Sequence, residues 1–273
     1  MKFDISTILL GATLFSTTSF CAPLTSLRQA QHESRLSRSL QHYSNPPLHP
    51  ETQEIIHLNS TPHVQYSQNW AGAVLIGTGY TSVSGVFTVP TPQAPNGSTS
   101  TGSYAASAWV GIDGDTWNKA ILQTGIDFIV KGGNASFSAW YEWYPQYAYD
   151  FTNISISAGD EIKVSVQATS TSTGFAVVEN LSTGVKVSHE FFGGQGGELG
   201  ELNAEWIVED FQQGFALVDF ANFGTISFRN ACAVDNETVV GPSGASLVDI
   251  KQKGNVLTSS SVTDNTVVVS YQR

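Results

Sequence analysis

Two cysteines in the whole chain, Cys21 and Cys232, are too few for a disulfide framework or a thiolate metal site. Cys232 is expected to be a buried structural thiol. Histidine is almost confined to the beginning, with His32, His42, His49, His57 and His63 before residue 67 and only His189 after it. A serine or cysteine mechanism with a histidine base would have to rest on that one residue, which has no nucleophile motif nearby, and a His-rich zinc site is out of reach. Basic residues are scarce as well. Of the 12 Lys and Arg and the 23 Asp and Glu, four of each precede residue 67, which leaves eight bases against nineteen acids and the entire net charge of −11 in the remainder. Such a surface repels nucleic acid and anionic membrane. It also repels itself less as carboxylates protonate, which suits use in acid. No amphipathic helical period is found after residue 67.

The first 22 residues read as a secretory signal: Lys2 precedes an apolar run from Ile5 to Phe20, too short and too rich in Ser and Thr for a membrane span, with small residues before a cut near Ala22. Six sequons, at Asn59, Asn96, Asn134, Asn153, Asn180 and Asn236, fit an exported glycoprotein. Residues 23–66 change composition towards Ser, Gln, Arg and His, broken by Pro46, Pro47 and Pro50, and read as a propeptide. Its expected role is to cover an acidic groove at neutral pH through Arg28, Arg35 and Arg38 and to let go when the carboxylates lose their charge.

From residue 67 to 273 the chain is one domain of strand after strand, closed by Gly and Pro turns. Residues 175–179 and 185–189 flank a Gly-closed turn and predict a hairpin. Residues 215–228 are expected to be another strand. Four segments alternate between an apolar face and a polar or aromatic one. In residues 120–128, Ala120, Leu122, Ile126 and Phe128 face a core, opposite Gln123, Gly125 and Asp127. In residues 108–115, Ala108, Val110 and Ile112 lie opposite Trp109, Gly111, Asp113 and Asp115. Trp140, Glu142 and Tyr144 share one side of residues 138–144. Glu205, Ile207 and Glu209 share one side of residues 204–210, with Ala204, Trp206 and Val208 behind. Carboxylates, indoles and one carboxamide thus converge as a binding groove requires. The motif Asp113-Gly-Asp115 resembles part of a calcium loop, but the rest of that pattern is missing and a turn is the better account. The remaining chemistry is that of carboxylates. Two acids flanking a sugar would hydrolyse a glycoside, one acid beside a hydrogen-bond donor would hydrolyse an amide, and a sandwich with stacking Trp109, Trp140 and Tyr144 would bind carbohydrate without cleaving it. Periodicity leaves all three open.

Five ordered blocks carry a resemblance: Asn69-Trp-Ala-Gly-Ala73, Trp109-Val-Gly-Ile-Asp-Gly-Asp115, Ile121-Leu-Gln-Thr-Gly-Ile-Asp127, Ala139-Trp-Tyr-Glu-Trp-Tyr-Pro145 and Asn203-Ala-Glu-Trp-Ile-Val-Glu-Asp-Phe211. They resemble the signature blocks of the glutamic peptidases, the eqolisin family of secreted fungal acid proteases. The resemblance implies an all-β fold, a β-sandwich of two large antiparallel sheets of the concanavalin-like or jelly-roll type. It also implies a polypeptide substrate, the chain's own propeptide as inhibitor, a monomer, and neither metal nor cofactor. Carried over block by block, it puts the catalytic glutamine on Gln123 and the catalytic glutamate on Glu205, and suggests Trp109, Asp113, Asp127, Trp140, Glu142 and Tyr144 as groove lining and the layer that supports it. Trp117 stands where a cysteine can occur in the family, so stability must come from packing.

Overall fold

Alternation buries one face of each long strand, and two such faces closed on each other make the core. In the computed structural model, which describes residues 42–49, 64–99 and 101–272, every regular element is a strand. A nine-stranded sheet runs in the order Asn255–Val256, Ser246–Gln252, Trp70–Ile76, Asn203–Glu209, Ser103–Ile112, Ile121–Lys131, Asn134–Tyr144 and Tyr149–Asp150, with Val64–Ser67 added in parallel beside Ser246–Gln252. An eight-stranded sheet runs Val185–Phe191, Thr173–Asn180, Glu161–Ser170, Tyr80–Thr88, Thr225–Asp235, Thr266–Tyr271 and Thr258–Thr263, with Thr238–Val240 beside Thr225–Asp235. Apart from the Val64–Ser67 pairing, the neighbours are antiparallel, and the architecture is the expected sandwich.

Between the sheets lie Ala108, Val110, Ile112, Leu122, Ile126, Phe128, Ala204, Trp206 and Val208, facing Val83, Phe87, Ile162, Val164, Val166, Ile226 and Phe228. These are the residues that the period of two sends inward. The nine-stranded sheet is covered on its far side too. There Trp70, Val74, Trp109, Ile121, Trp140, Ile207 and Val248 form a second, smaller cluster.

The predicted hairpin is found, Thr173–Asn180 paired with Val185–Phe191. Residues 215–228 are not one strand. Ala216–Leu217 belongs to a small hairpin with Gln212–Gln213, and the long strand is Thr225–Asp235, which carries the half-buried Cys232 with its Sγ 3.2 Å from the Ser84 hydroxyl. The strand Val64–Ser67 crosses the expected boundary at residue 67, and residues 42–49 lie in the same compact unit, which spans Ser39–Arg273. Of the sequons, Asn96, Asn134, Asn153 and Asn236 are exposed, whereas Asn180 is buried with its amide donating to Ser155 O and Asp160 Oδ2. A glycan on Asn180 would have to break at least one of these bonds. Asn59 lies outside the described residues, as do the expected signal and Arg28, Arg35 and Arg38.

Candidate active site

Strand register decides which polar residues meet. Val74, Glu205, Gly111, Gln123 and Glu142 form one row across five adjacent strands. Two residues along, the row reads Gly72, Ile207, Trp109, Gly125 and Trp140, and two further on it reads Trp70, Glu209, Ser107, Asp127 and Ser138. Because side chains repeat every second residue, all three rows point away from the core. Two row positions are glycine for a spatial reason. A Cβ on Gly111 would stand 3.2 Å from Glu205 Oε2 and 3.3 Å from Gln123 Cβ, so its absence lets those two side chains approach each other. A Cβ on Gly125 would lie 2.4 Å from the Ala108 carbonyl oxygen and 2.5 Å from the Trp109 Cβ, so the neighbouring strand leaves no room for one.

The residues 42–48, from the expected propeptide, lie on this face. The Gln123 Nε2 amide donates to the Ser44 carbonyl at 3.2 Å. The Ser44 N–H donates to Glu142 Oε2 at 3.2 Å, the Asn45 N–H to Glu209 Oε1 at 3.2 Å, and the Ser44 hydroxyl to Glu209 Oε2. His42 Nδ1 stands 3.0 Å from Asp127 Oδ2, with its ring against Trp140 and Phe211. On its other side the segment pairs with the Gln212–Gln213 strand, His42 opposite Gln213 and Tyr43 opposite Gln212. Further along, Leu48 is held at both of its backbone polar groups: its N–H donates to Asn69 Oδ1 and its carbonyl accepts from the Gln68 N–H, each at 2.7 Å. The segment's contacts on this face are thus backbone hydrogen bonds, a serine hydroxyl and one histidine.

Both Glu205 oxygens and Gln123 Oε1 are buried without a hydrogen-bond partner among the described residues. Three acceptors converging there fit a groove that is completed by water or substrate. Burial pushes the Glu205 carboxyl well above the ordinary carboxylate range, and Asp113 and Asp115 add to the shift. Glu142 is likewise pushed well up by burial, opposed by the Ser44 N–H and reinforced by Glu209 and Asp127. Burial raises Glu209 to about 7 against its hydrogen bonds from Ser44 and Trp109. For His42, burial alone would lower the pKa, but Asp127, Glu209 and Asp150 together raise it above 6.5.

The structure gathers Gln123, Glu205, Glu142 and Asp127 on one face, with Trp140 between them, as expected. Trp109 is there as well, but its indole N–H is spent on Glu209 at 2.9 Å, and the Trp140 N–H on Ser107 at 3.0 Å. Both rings are fully buried, Trp140 in part beneath the His42 ring of the segment. Asp113 falls in the supporting layer rather than the lining. It sits at the turn after Ser103–Ile112 with φ of 68°, and its two oxygens accept the backbone N–H groups of Gly200, Glu201, Leu202 and Asn203 at 2.7–3.2 Å. It therefore braces the approach to the strand that carries Glu205. Tyr144 is half-buried at the flank, packed on the Trp70–Trp140 cluster. Glu209, absent from the expected site set, is the acid that holds most of the bound segment. Its place on Glu205's face is readable from the alternation of residues 204–210, and its engagement is not.

Residues 68–271 match the Peptidase A4 family, and the chain belongs to that family, the eqolisin or glutamic peptidases. It is similar to Aspergillopepsin-2 of Aspergillus niger, with 53% identity over 99% of this chain and all of that one, and to Scytalidopepsin B of Scytalidium lignicola, with 41% identity over 74% and 77%. Among solved structures it resembles scytalido-glutamic peptidase bound to a transition state analog inhibitor, with a TM-score of 0.69 and 40% identity over 75% of this chain and 98% of that one. The aspergilloglutamic peptidase of Aspergillus niger aligns with a TM-score of 0.61 and 58% identity over 62% of this chain and 99% of that one.

Proposed function

We propose that this glutamic peptidase is exported, is made as a zymogen whose residues 42–48 block the groove, and cuts polypeptides in acid through Gln123 and Glu205. The observation that carries the reading is the Ser44 carbonyl held at 3.2 Å by the Gln123 amide, one strand away from Gly111, across which Glu205 lies. A peptide carbonyl in that position is where a substrate carbonyl would sit.

In the proposed reaction, the Glu205 carboxylate takes a proton from water as its oxygen bonds to the carbonyl carbon. The carbonyl oxygen becomes the oxyanion and receives the Gln123 N–H, a contact typically worth about 3–4 kcal/mol. Glu205, now protonated, returns the proton to the leaving nitrogen as the C–N bond breaks. The two partners meet acid differently. A carboxamide does not ionise, so it remains a donor at any working pH. Glu205 is a base when ionised and an acid once protonated, the two states the cycle visits in turn, and its raised pKa makes the ionised form rarer as pH falls, which sets an acid limit to the activity.

The test is digestion of denatured protein at low pH by the matured enzyme. Gln123→Ala is expected to lose roughly 10²–10³-fold in kcat, and Glu205→Gln at least as much, with unchanged thermal unfolding. Full activity in either variant would overturn the dyad. Mass spectrometry of the secreted product tests the leader and the propeptide: an intact N-terminus carrying residues 42–48 in fully active enzyme would refute the zymogen reading.

A further inference from the structure

The dyad accounts for the carbonyl end of the peptide bond between Ser44 and Asn45. The nitrogen end is held as well, by a residue the proposed cycle leaves idle. The Asn45 N–H donates to Glu209 Oε1 at 3.2 Å, while the same bond's carbonyl accepts from Gln123 Nε2 at 3.2 Å. A donor on the oxygen and an acceptor on the nitrogen grip one amide from its two polar ends.

Glu209 is built for that task rather than placed there incidentally. It is fully buried, the Trp109 indole N–H fixes Oε2 at 2.9 Å, and the Asn69 Nδ2 amide fixes Oε1 at 3.3 Å. Asn69 is itself aligned by the Ser67 hydroxyl, which donates to its Oδ1 at 2.8 Å. Each of the groups hydrogen-bonded to the carboxylate is a donor, so its two oxygens are oriented as acceptors. A buried carboxylate positioned by an indole and a carboxamide, with one oxygen directed at a backbone N–H, recognises a feature that nearly every peptide bond has and an ester lacks.

We propose that Glu209 binds the leaving group, its Oε1 accepting the N–H of the residue that follows the scissile carbonyl. The inference rests on the reading of residues 44–45 as lying where substrate lies. As water adds to the carbonyl carbon, the nitrogen becomes pyramidal. With its N–H tied to Glu209, the new lone pair turns away from Glu209 and is free to take the proton returned by Glu205. Glu209 gains and loses no proton in the step; it orients the nitrogen until the C–N bond breaks. It thus distinguishes an amide from an ester at the bond being cut.

The experiment compares two substrates of one sequence, a peptide and its depsipeptide with the scissile N–H replaced by oxygen, on the matured parent, Glu209→Gln and Glu209→Asp. In Glu209→Gln one oxygen becomes an amide nitrogen facing only donors. Its kcat/KM on the peptide is expected to fall about 10–100-fold, the cost of leaving a buried N–H without its acceptor, and on the ester no more than about threefold. Glu209→Asp keeps the carboxylate and is expected to regain part of the peptide activity. Equal losses on both substrates by a variant with the parent's thermal transition, or no loss on either, overturn the proposal. If Glu209→Gln does not fold, the same selective loss is read from Glu209→Asp, whose shorter side chain withdraws the acceptor. Gln123→Ala serves as the separate control. Activity of that variant on both substrates would sink the dyad, whatever Glu209 does.

Discussion

At the scale of the residue, the side chain that Gly111 lacks matters as much as those its neighbours have. It stands between Glu205 and Gln123 in one row, and a methyl there would meet Trp109 Cζ3 at 2.9 Å, Glu205 Oε2 at 3.2 Å and Gln123 Cβ at 3.3 Å. Gly111→Ala is therefore expected to fold, at a cost of about 1–3 kcal/mol from overpacking, and to lose activity out of proportion. Pushing a reacting group about 1 Å out of place costs on the order of 10²-fold. Steady-state kinetics beside thermal unfolding would check it, and parent-like kcat would show that the pair tolerates the spread. At this scale the sequence is informative in a lopsided way. The parity of residues 120–128 and 204–210 places Gln123 and Glu205 on outward faces, and the five blocks single them out. The sequence does not distinguish Asp113 from Asp127, since both fall on outward positions. Asp127 faces the bound segment, while Asp113 is claimed by four backbone N–H groups from a loop some ninety residues away. Only the tertiary closure of that loop separates a brace from a groove acid.

At the scale of the element, the composition of residues 23–66 suggests a segment that holds on by arginine and lets go in acid. The described basic side chain of the segment that meets a groove acid is His42, and its linkage has the opposite sign. A histidine whose pKa is raised in the bound state contributes attraction that is complete below 6.5 and fades as pH rises through the raised value. In the proposed zymogen, release in acid would therefore have to come from Glu142 becoming neutral beneath the Ser44 N–H. A synthetic peptide spanning residues 39–50, added to matured enzyme, should inhibit, and its His42→Ala form should inhibit about tenfold less at pH 5, the loss of an ion-pair contact of roughly 1–1.5 kcal/mol, with the gap narrowing as pH rises towards 8. A gap that widens towards pH 8 would contradict the assignment. Elements with an unbroken period are legible in the sequence, such as Glu161–Ser170 with Ile162, Val164, Val166 and Ala168 buried. The Thr225–Asp235 strand is legible only as far as Phe228, because a bulge between Arg229 and Cys232 flips its parity, from Ile226 and Phe228 to Ala231 and Ala233. The three-stranded sheet of residues 42–43 with Gln212–Gln213 and Ala216–Leu217 has no period at all, since two-residue strands exist only through the contact that pairs them.

At the scale of the whole molecule, acid preference is written into the interior as well as the surface. The sequence shows only the −11 of net charge and hence surface repulsion. The fold adds several buried carboxyls shifted in one direction. Burial raises Asp249 to about 6, Glu209 to about 7 and Asp210 to about 8, against hydrogen bonds that pull the other way. It raises Glu205 and Glu142 well above the usual range. The sign follows from the direction. A carboxyl whose folded pKa lies above its unfolded value favours the protonated fold, so its contribution is complete below about 4 and is lost as pH climbs through the raised values. A tenfold difference in proton affinity between the folded and unfolded chain corresponds to about 1.4 kcal/mol, so the domain should lose a few kcal/mol between pH 4 and 8, with its highest Tm on the acid side. Two causes remain to be separated, and salt separates them. Surface repulsion is screened by 1 M salt, where the Debye length falls to about 3 Å, whereas the cost of ionising a buried acid is not. Asp210 offers the direct handle, since one of its oxygens accepts from Gln252 Nε2 at 2.6 Å and the other has no partner among the described residues. Asp210→Asn keeps an acceptor for Gln252 and removes the titration. It should melt close to the parent at pH 4 and above it at pH 8, in low and high salt alike. If instead the parent's loss of stability at pH 8 disappears in 1 M salt, the surface rather than the interior sets the acid optimum.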